Sequence, residues 1–228
     1  MKHIGIIACS AEGAALCYTT IVNEASKILG EFKHPEISMH TPPLSQYMGY
    51  IEKDDWISVG KLIIVSIEKL ATIGAEFAII PDNTIHRAFD YAEKHSPIPL
   101  LNIASEVLEQ AEQSNYKSIG VLGTKYLMES TVYSDLMKQK EMSYNIPSKI
   151  ERENINTIIF DELTNGICTE KSREYSKIII DKLKETGCDA VILGCTELPL
   201  LIKQEDSSLP LLDSTRILAK AALNYAIQ

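Results

Sequence analysis

No stretch of this 228-residue chain approaches the roughly eighteen consecutive apolar residues that cross a bilayer. The first residues, Met1-Lys2-His3-Ile4-Gly5-Ile6-Ile7, run directly into a strand-like pattern, without the apolar leader of a secreted protein. Both absences predict a cytoplasmic protein with no membrane contact. Positive charge is scarce: 22 Lys and Arg stand against 31 Asp and Glu, for a formal charge of −9. A nucleic-acid or anionic-lipid surface needs clustered cations, so neither partner is expected. The five cysteines are odd in number and have neither CxxC nor Cys/His ligand spacing, which excludes a disulfide framework and a zinc site. There is no G-x-x-x-x-G-K-[ST] loop, no G-x-G-x-x-G after the first strand and no G-x-S-x-G elbow, which argues against nucleotide binding and serine hydrolysis.

What the chain does have is an internal repeat. Gly74-Ala75-Glu76-Phe77-Ala78-Ile79-Ile80-Pro81-Asp82-Asn83-Thr84 aligns without gaps to Gly187-Cys188-Asp189-Ala190-Val191-Ile192-Leu193-Gly194-Cys195-Thr196-Glu197, at an offset of 113. His3–Ile7 matches Ser118–Leu122 at 115, and Ile98–Leu101 matches Leu209–Leu212 at 111. Three matches in one order indicate a duplicated half. The repeat sets Asp82 and Cys195 at equivalent positions and predicts one cleft that receives an ionisable side chain from each half.

Short apolar strands are expected at 4–8, 37–40, 77–80 and 98–101, and again at 118–122, 190–193 and 209–212, with an irregular second strand somewhere in 143–156. Helical patterns fall between them at 16–29, 56–74, 128–140 and 169–186, with a last helix at 215–226 that packs back on the first half. Pro42-Pro43 predicts a loop after the second strand. Strands alternating with helices predict an α/β fold of two pseudo-symmetric Rossmann-like domains, each with a mainly parallel four-stranded sheet flanked by helices. The expected halves are 1–100 with 213–228, and 101–212.

In such sheets ligands bind beyond the carboxyl ends of the strands. Cys195 lies there, between an apolar strand and a helix start, where the helix dipole favours thiolate and makes it a usable base or nucleophile. Its plainer role is that of a buried packing residue. Asp82 is a candidate base and equally a helix N-cap. His86, four residues on, is an auxiliary candidate that could tune Asp82. Asn83, Thr84, Thr196, Thr124 and Ser10 are hydroxyl or amide groups suited to a small substrate's carboxylate or amino group, and all are common caps.

These pieces resemble the aspartate/glutamate racemase family. The resemblance covers almost the whole chain and rests on Gly194-Cys195-Thr196-Glu197, Asn83-Thr84 followed by His86, Gly123-Thr124-Lys125, and the stretch Ile155–Leu163. It implies an isomerase that uses no pyridoxal phosphate and no metal, is a homodimer, and takes a small amino-acid substrate. In the family two cysteines exchange the α-proton on opposite faces. Carried over by position, Cys195 is the second-half cysteine, Glu197 accompanies it, and Asp82 replaces the first. The resemblance therefore implies a racemase of aspartate or glutamate with Cys195 and Asp82 as the acid/base pair. A decarboxylase or isomerase of a small dicarboxylate using Cys195 alone is the alternative, and a non-catalytic carboxylate-binding homologue is a third. Some aspartate racemases hold the side-chain carboxylate with an Arg in the loop after the second strand. Here that loop reads Pro42-Pro43-Leu44-Ser45-Gln46-Tyr47, which leaves Lys125, Lys149 or Arg152 as substitutes.

Overall fold

The computed structural model describes residues 1–228, which form two compact units: Met1–Glu106 with Thr215–Gln228, and Val107–Ser214. The first unit runs β1 (Ile4–Ile7), α1 (Ala11–Leu29), β2 (Ile37–His40), α2 (Leu44–Ile51), α3 (Trp56–Thr72), β3 (Phe77–Ile79), a 3-10 turn (Thr84–Ala88) leading into α4 (Phe89–His95), and β4 (Leu100–Leu101). Helix α5 (Ile103–Gln113) carries the chain into the second unit. There follow β5 (Ser118–Leu122), α6 (Lys125–Met128), α7 (Ser134–Gln139), β6 (Ser143–Asn145), α8 (Lys149–Thr157), α9 (Glu170–Glu185), β7 (Ala190–Leu193), α10 (Leu198–Leu201) and β8 (Leu211–Asp213). Helix α11 (Ser214–Ile227) returns the chain to the first unit. There Lys2 N–H donates to the Ala226 carbonyl at 2.8 Å, and Tyr225 meets Phe77 edge-on at 4.7 Å. No helix is long and apolar enough to cross a membrane.

Each unit holds a four-stranded sheet with every pairing parallel, ordered β2-β1-β3-β4 and β6-β5-β7-β8. The strands are apolar on both faces because helices cover both. Ile4, Ile6, Ile7, Phe77 and Ile79 are wholly buried in one sheet, as are Ile119, Val121, Val191 and Ile192 in the other. Each such side chain contributes about 1.5–3 kcal/mol by leaving water.

The repeat is visible in the registers. Ile4 pairs with Phe77 and Ile119 with Ala190, while Ala78 pairs with Leu100 and Val191 with Leu211, so all three sequence offsets coincide in space. The connections repeat too. Asp55 caps α3 by accepting from Ser58 N–H at 3.0 Å, and Thr169 caps α9 by accepting from Ser172 N–H at 3.1 Å. Both helices give way to glycines in the left-handed region, Gly74 at φ +99° and Gly187 at +94°. Glu76 then accepts from His3 N–H at 2.8 Å, and Asp189 from Lys117 N–H at 2.7 Å and Ser118 N–H at 3.2 Å. A carboxylate thus pins the first strand to the third in each unit.

Several expected elements differ. The segment after Pro42-Pro43 is helix α2, because Leu44, Tyr47, Met48 and Ile51 follow helical spacing and the prolines precede its first turn. Helix α1 starts at Ala11 rather than Leu16, capped by Ser10. The helix expected at 128–140 is broken into α6 and α7. The 143–156 interval contributes only the short β6. It then turns helical at Ser148, whose N–H and hydroxyl both donate to Glu151 (2.9 and 2.7 Å). Ile155–Leu163 spans the end of α8 and a π-helical turn, Ile158–Glu162.

Candidate functional site

In the second unit the key residues sit on turns after β5 and β7. Gly194 N–H donates to the Leu122 carbonyl at 2.7 Å, drawing these strand ends together. A side chain at Gly194 would collide with Leu127 and the Leu122 carbonyl, and one at Gly123 with Leu127 and the Gly194 carbonyl. The two glycines are required by this close approach, which brings the Thr124 and Cys195 turns side by side. Thr124 caps α6, accepting from Leu127 N–H at 3.2 Å. Lys125 N–H donates to Asn156 Oδ1 at 3.0 Å, so the Ile155–Leu163 stretch buttresses this loop.

Cys195, Thr196 and Glu197 are all buried. The Cys195 thiol donates to Glu197 Oε2 at 2.9 Å, and the Thr196 hydroxyl donates to the same oxygen at 2.8 Å. Glu197 is only 3% exposed; its Oε1 has no hydrogen-bond partner, and no cation pairs with it. Helix α10, which follows, is a single four-residue turn with Pro199 near its start. Its dipole is too short to carry the thiolate stabilisation expected from the sequence. A carboxylate beside a thiol favours the protonated sulfur when it is ionised. Cys195 and Glu197 are joined directly by this hydrogen bond.

In the first unit Cys9 and Ser10 follow β1, and Asp82 follows β3. Ser10 caps α1, accepting from Gly13 N–H at 3.2 Å. Asp82 Oδ1 accepts from Ile85 N–H at 3.0 Å, the capping role its residue type suggests. Asn83, Thr84 and His86 are buried beside it. The His86 ring is engaged at both nitrogens by backbone: Nδ1–H donates to the Asp82 carbonyl at 2.6 Å, and Nε2 accepts from Ile103 N–H at 3.1 Å. The carbonyl can only accept, so the tautomer is set. Burial lowers the His86 pKa to about 4, opposed in part by the Asp82 carbonyl. The ring is neutral, stacks on Phe89 at 5.3 Å, and fixes the Asp82 turn to the start of α5. It holds Asp82 through the backbone rather than through the carboxylate.

Of the cations proposed to replace the missing arginine, Arg152 is held by Glu129 at 3.1 Å and the Pro147 carbonyl at 2.7 Å. Lys149 is exposed at the start of α8, and the Lys125 ammonium lies 5.3 Å from the Tyr126 ring centre. One residue passed over in the sequence is Tyr47, which α2 buries completely and places under the electrostatic influence of Cys9 and Asp82. The helical spacing 44, 47, 48, 51 was the signal for it.

A family model described as Asp/Glu/hydantoin racemase matches residues 4–222. The broad specificity amino-acid racemase RacX of Bacillus subtilis (strain 168) is 23% identical over 211 residues, covering 90% of this chain and 88% of that protein. Among solved structures, a Yersinia pestis protein described as a candidate Asp/Glu racemase superposes with a TM-score of 0.92 at 33% identity, covering 100% of both chains. An aspartate racemase homologue from Pyrococcus horikoshii gives 0.87 at 29%, again over 100% of both.

Proposed function

Because this chain belongs to the Asp/Glu/hydantoin racemase family, we propose that it is a cofactor-independent racemase of aspartate or glutamate, with Cys195 and Asp82 as its acid/base pair. The observation that carries the reading is the matched register. Ile79 and Ile192 are equivalent residues of the third strand of each sheet, and three positions beyond them stand Asp82 and Cys195. Inverting a stereocentre through a planar carbanion takes a base on one face of the α-carbon and an acid on the other. The reading therefore requires both strand ends to reach one α-carbon.

In one direction Cys195, its proton passed to Glu197, takes the α-hydrogen as a proton. The C–H electron pair moves into the substrate's carboxylate as an enediolate. Protonated Asp82 then returns a proton to the other face as the pair moves back to carbon. The reverse direction begins with Asp82 as carboxylate and ends with the Cys195 thiol as donor. Glu197 is the neighbour that lets a buried sulfur exchange its proton without a cation beside it. Asn83, Thr84, Thr124, Thr196 and Ser10 are the proposed ligands of the substrate's carboxylate and amino groups, whose hydrogen bonds strengthen as charge builds on the carboxylate. His86 serves the site by holding the Asp82 turn.

Proton NMR of L- and D-aspartate and L- and D-glutamate in deuterated buffer tests the reading. Loss of the α-proton signal with appearance of the opposite enantiomer is expected. Cys195→Ser and Asp82→Asn should each lower inversion by about 10²–10⁴-fold, the usual worth of a positioned acid or base. Retention of all four α-proton signals by the parent protein would remove the acidic amino-acid claim.

A further inference from the structure

Tyr47 is fully buried, and its hydroxyl has no hydrogen-bond partner. Leaving a buried hydroxyl unpaired costs roughly 1–3 kcal/mol, and phenylalanine would pack the same ring without that cost. A buried unsatisfied group in a native structure calls for an explanation. Its surroundings supply one. Helix α2 follows β2, Cys9 follows β1 and Asp82 follows β3, and these three strands are neighbours in the order β2-β1-β3. The three side chains therefore gather at one edge of the first unit's sheet. Burial is the main cause that raises the phenol's pKa, Cys9 and Asp82 raise it further, and the Ser66 hydroxyl opposes them. The phenol keeps its proton.

Ser66 has no proton to offer in exchange. Lys69 Nζ can only donate, so His40 Nε2 accepts from it at 3.0 Å, and His40 Nδ1–H donates to Ser66 Oγ at 2.9 Å. The Ser66 proton then goes to the Leu62 carbonyl at 3.2 Å. The cations of this region are likewise engaged: Lys69 on His40, and Arg87 on Asp54 at 3.2 Å and over the Trp56 ring at 4.2 Å. What this edge holds ready is a neutral, dry O–H donor.

We propose that Tyr47 is a further catalytic residue, whose O–H donates to a carboxylate oxygen of the bound substrate beside Asp82. As the α-proton leaves, negative charge moves onto that oxygen, and a donor fixed in a water-excluded place stabilises it without reorganising. The catalytic half of the proposal rests on the racemase reading. The binding half does not, because a non-reacting dicarboxylate occupies the same donor.

The test is Tyr47→Phe, read in three ways. The unliganded variant should unfold in urea at the same midpoint as the parent or a higher one, since no hydrogen bond is lost. Affinity for succinate, titrated by calorimetry, should fall about 5–10-fold. The kcat for α-proton exchange should fall about 10²-fold, with KM changed less. A destabilised unliganded variant would show that the hydroxyl is structural and overturn the proposal, as would unchanged succinate affinity and kcat. If the parent exchanges no α-proton with any amino acid, the racemase reading fails while the succinate comparison still decides Tyr47. A parent that binds neither succinate nor L-aspartate overturns the proposal outright.

Discussion

Glu197 accepts hydrogen bonds from two neighbouring side chains, and no cation pairs with it. A buried carboxylate in that position is expensive unless it has work to do. Replacing it with Gln keeps the size and one acceptor but removes the charge and the capacity to take the thiol's proton. Turnover by Glu197→Gln should fall about 10²-fold or more. At the same time, alkylation of Cys195 by iodoacetamide, followed by peptide mass spectrometry, should reach its half-maximal rate at a lower pH, because a like charge beside the thiolate is gone. Slower alkylation at every pH would show that the carboxylate assists ionisation only. His86 makes a second prediction at this scale. Its pKa falls from about 6.5 in the unfolded chain to about 4 when folded. The unfolded state therefore binds the extra proton between those values, and stability rises with pH across them. The contribution is fully present above about pH 6.5 and is lost as the pH falls through 4, to a total of roughly 3 kcal/mol. Urea unfolding at pH 7, 5.5 and 4.5 should show this slope in the parent and a flatter one in His86→Gln.

At the scale of elements, the turns after β5 and β7 depend on two glycines, Gly123 packed against the Gly194 carbonyl and Gly194 against the Leu122 carbonyl. Gly194→Ala drives a methyl group into Leu127 and the Leu122 carbonyl, and should cost about 1–3 kcal/mol by overpacking. Leu127→Ala should also destabilise, but the double variant should lose less than the sum, because the truncated Leu127 leaves room for the new methyl. Additive losses in urea titrations would place the strain in the backbone instead. The elements differ in how plainly the sequence announces them. The buried strands of both sheets are legible because four-residue apolar runs recur at nearly fixed offsets. Helix α2 is hidden by Pro42-Pro43, a breaker signal that outweighs a correct 44, 47, 48, 51 pattern. Strand β6 is legible only as an irregular strand somewhere in 143–156, because its pairing with β5, Ile119 against Tyr144, falls outside the offsets that align the other strands. Within the site, the equivalence of Asp82 and Cys195 can be read from the repeat. The thiol–carboxylate bond from Cys195 to Glu197 cannot, since it depends on how the side chains of one tight turn are aimed. The helical spacing marks Tyr47 as a buried residue of α2, but its unpaired hydroxyl is visible only in the structure.

For the molecule as a whole, duplication makes symmetry the default and Asp82 the departure from it. Caps, left-handed glycines, carboxylate pins and sheet registers repeat between units, while the residue three positions beyond the equivalent Ile79 and Ile192 is a carboxylate in one and a thiol in the other. A racemisation has an equilibrium constant of one, so kcat/KM must be equal for the two enantiomers whatever the residues. The asymmetry can appear only in how that ratio divides into kcat and KM, and in how often a proton is exchanged with solvent without inversion. A carboxylic acid and a thiol differ by several pKa units in their unperturbed state, so the two half-reactions should have unlike barriers. The parent is therefore expected to show unequal kcat values for the L and D forms, and deuterium wash-in without inversion from one enantiomer more than from the other. Asp82→Cys restores a thiol on each side and should bring the two kcat values closer and narrow the difference in wash-in, whatever it does to the absolute rate. Polarimetry started from each enantiomer, with NMR of the recovered substrate, measures both. If Asp82→Cys leaves the two directions as unequal as they are in the parent, the asymmetry arises in substrate binding, and Asp82 is a capping residue rather than a partner of Cys195.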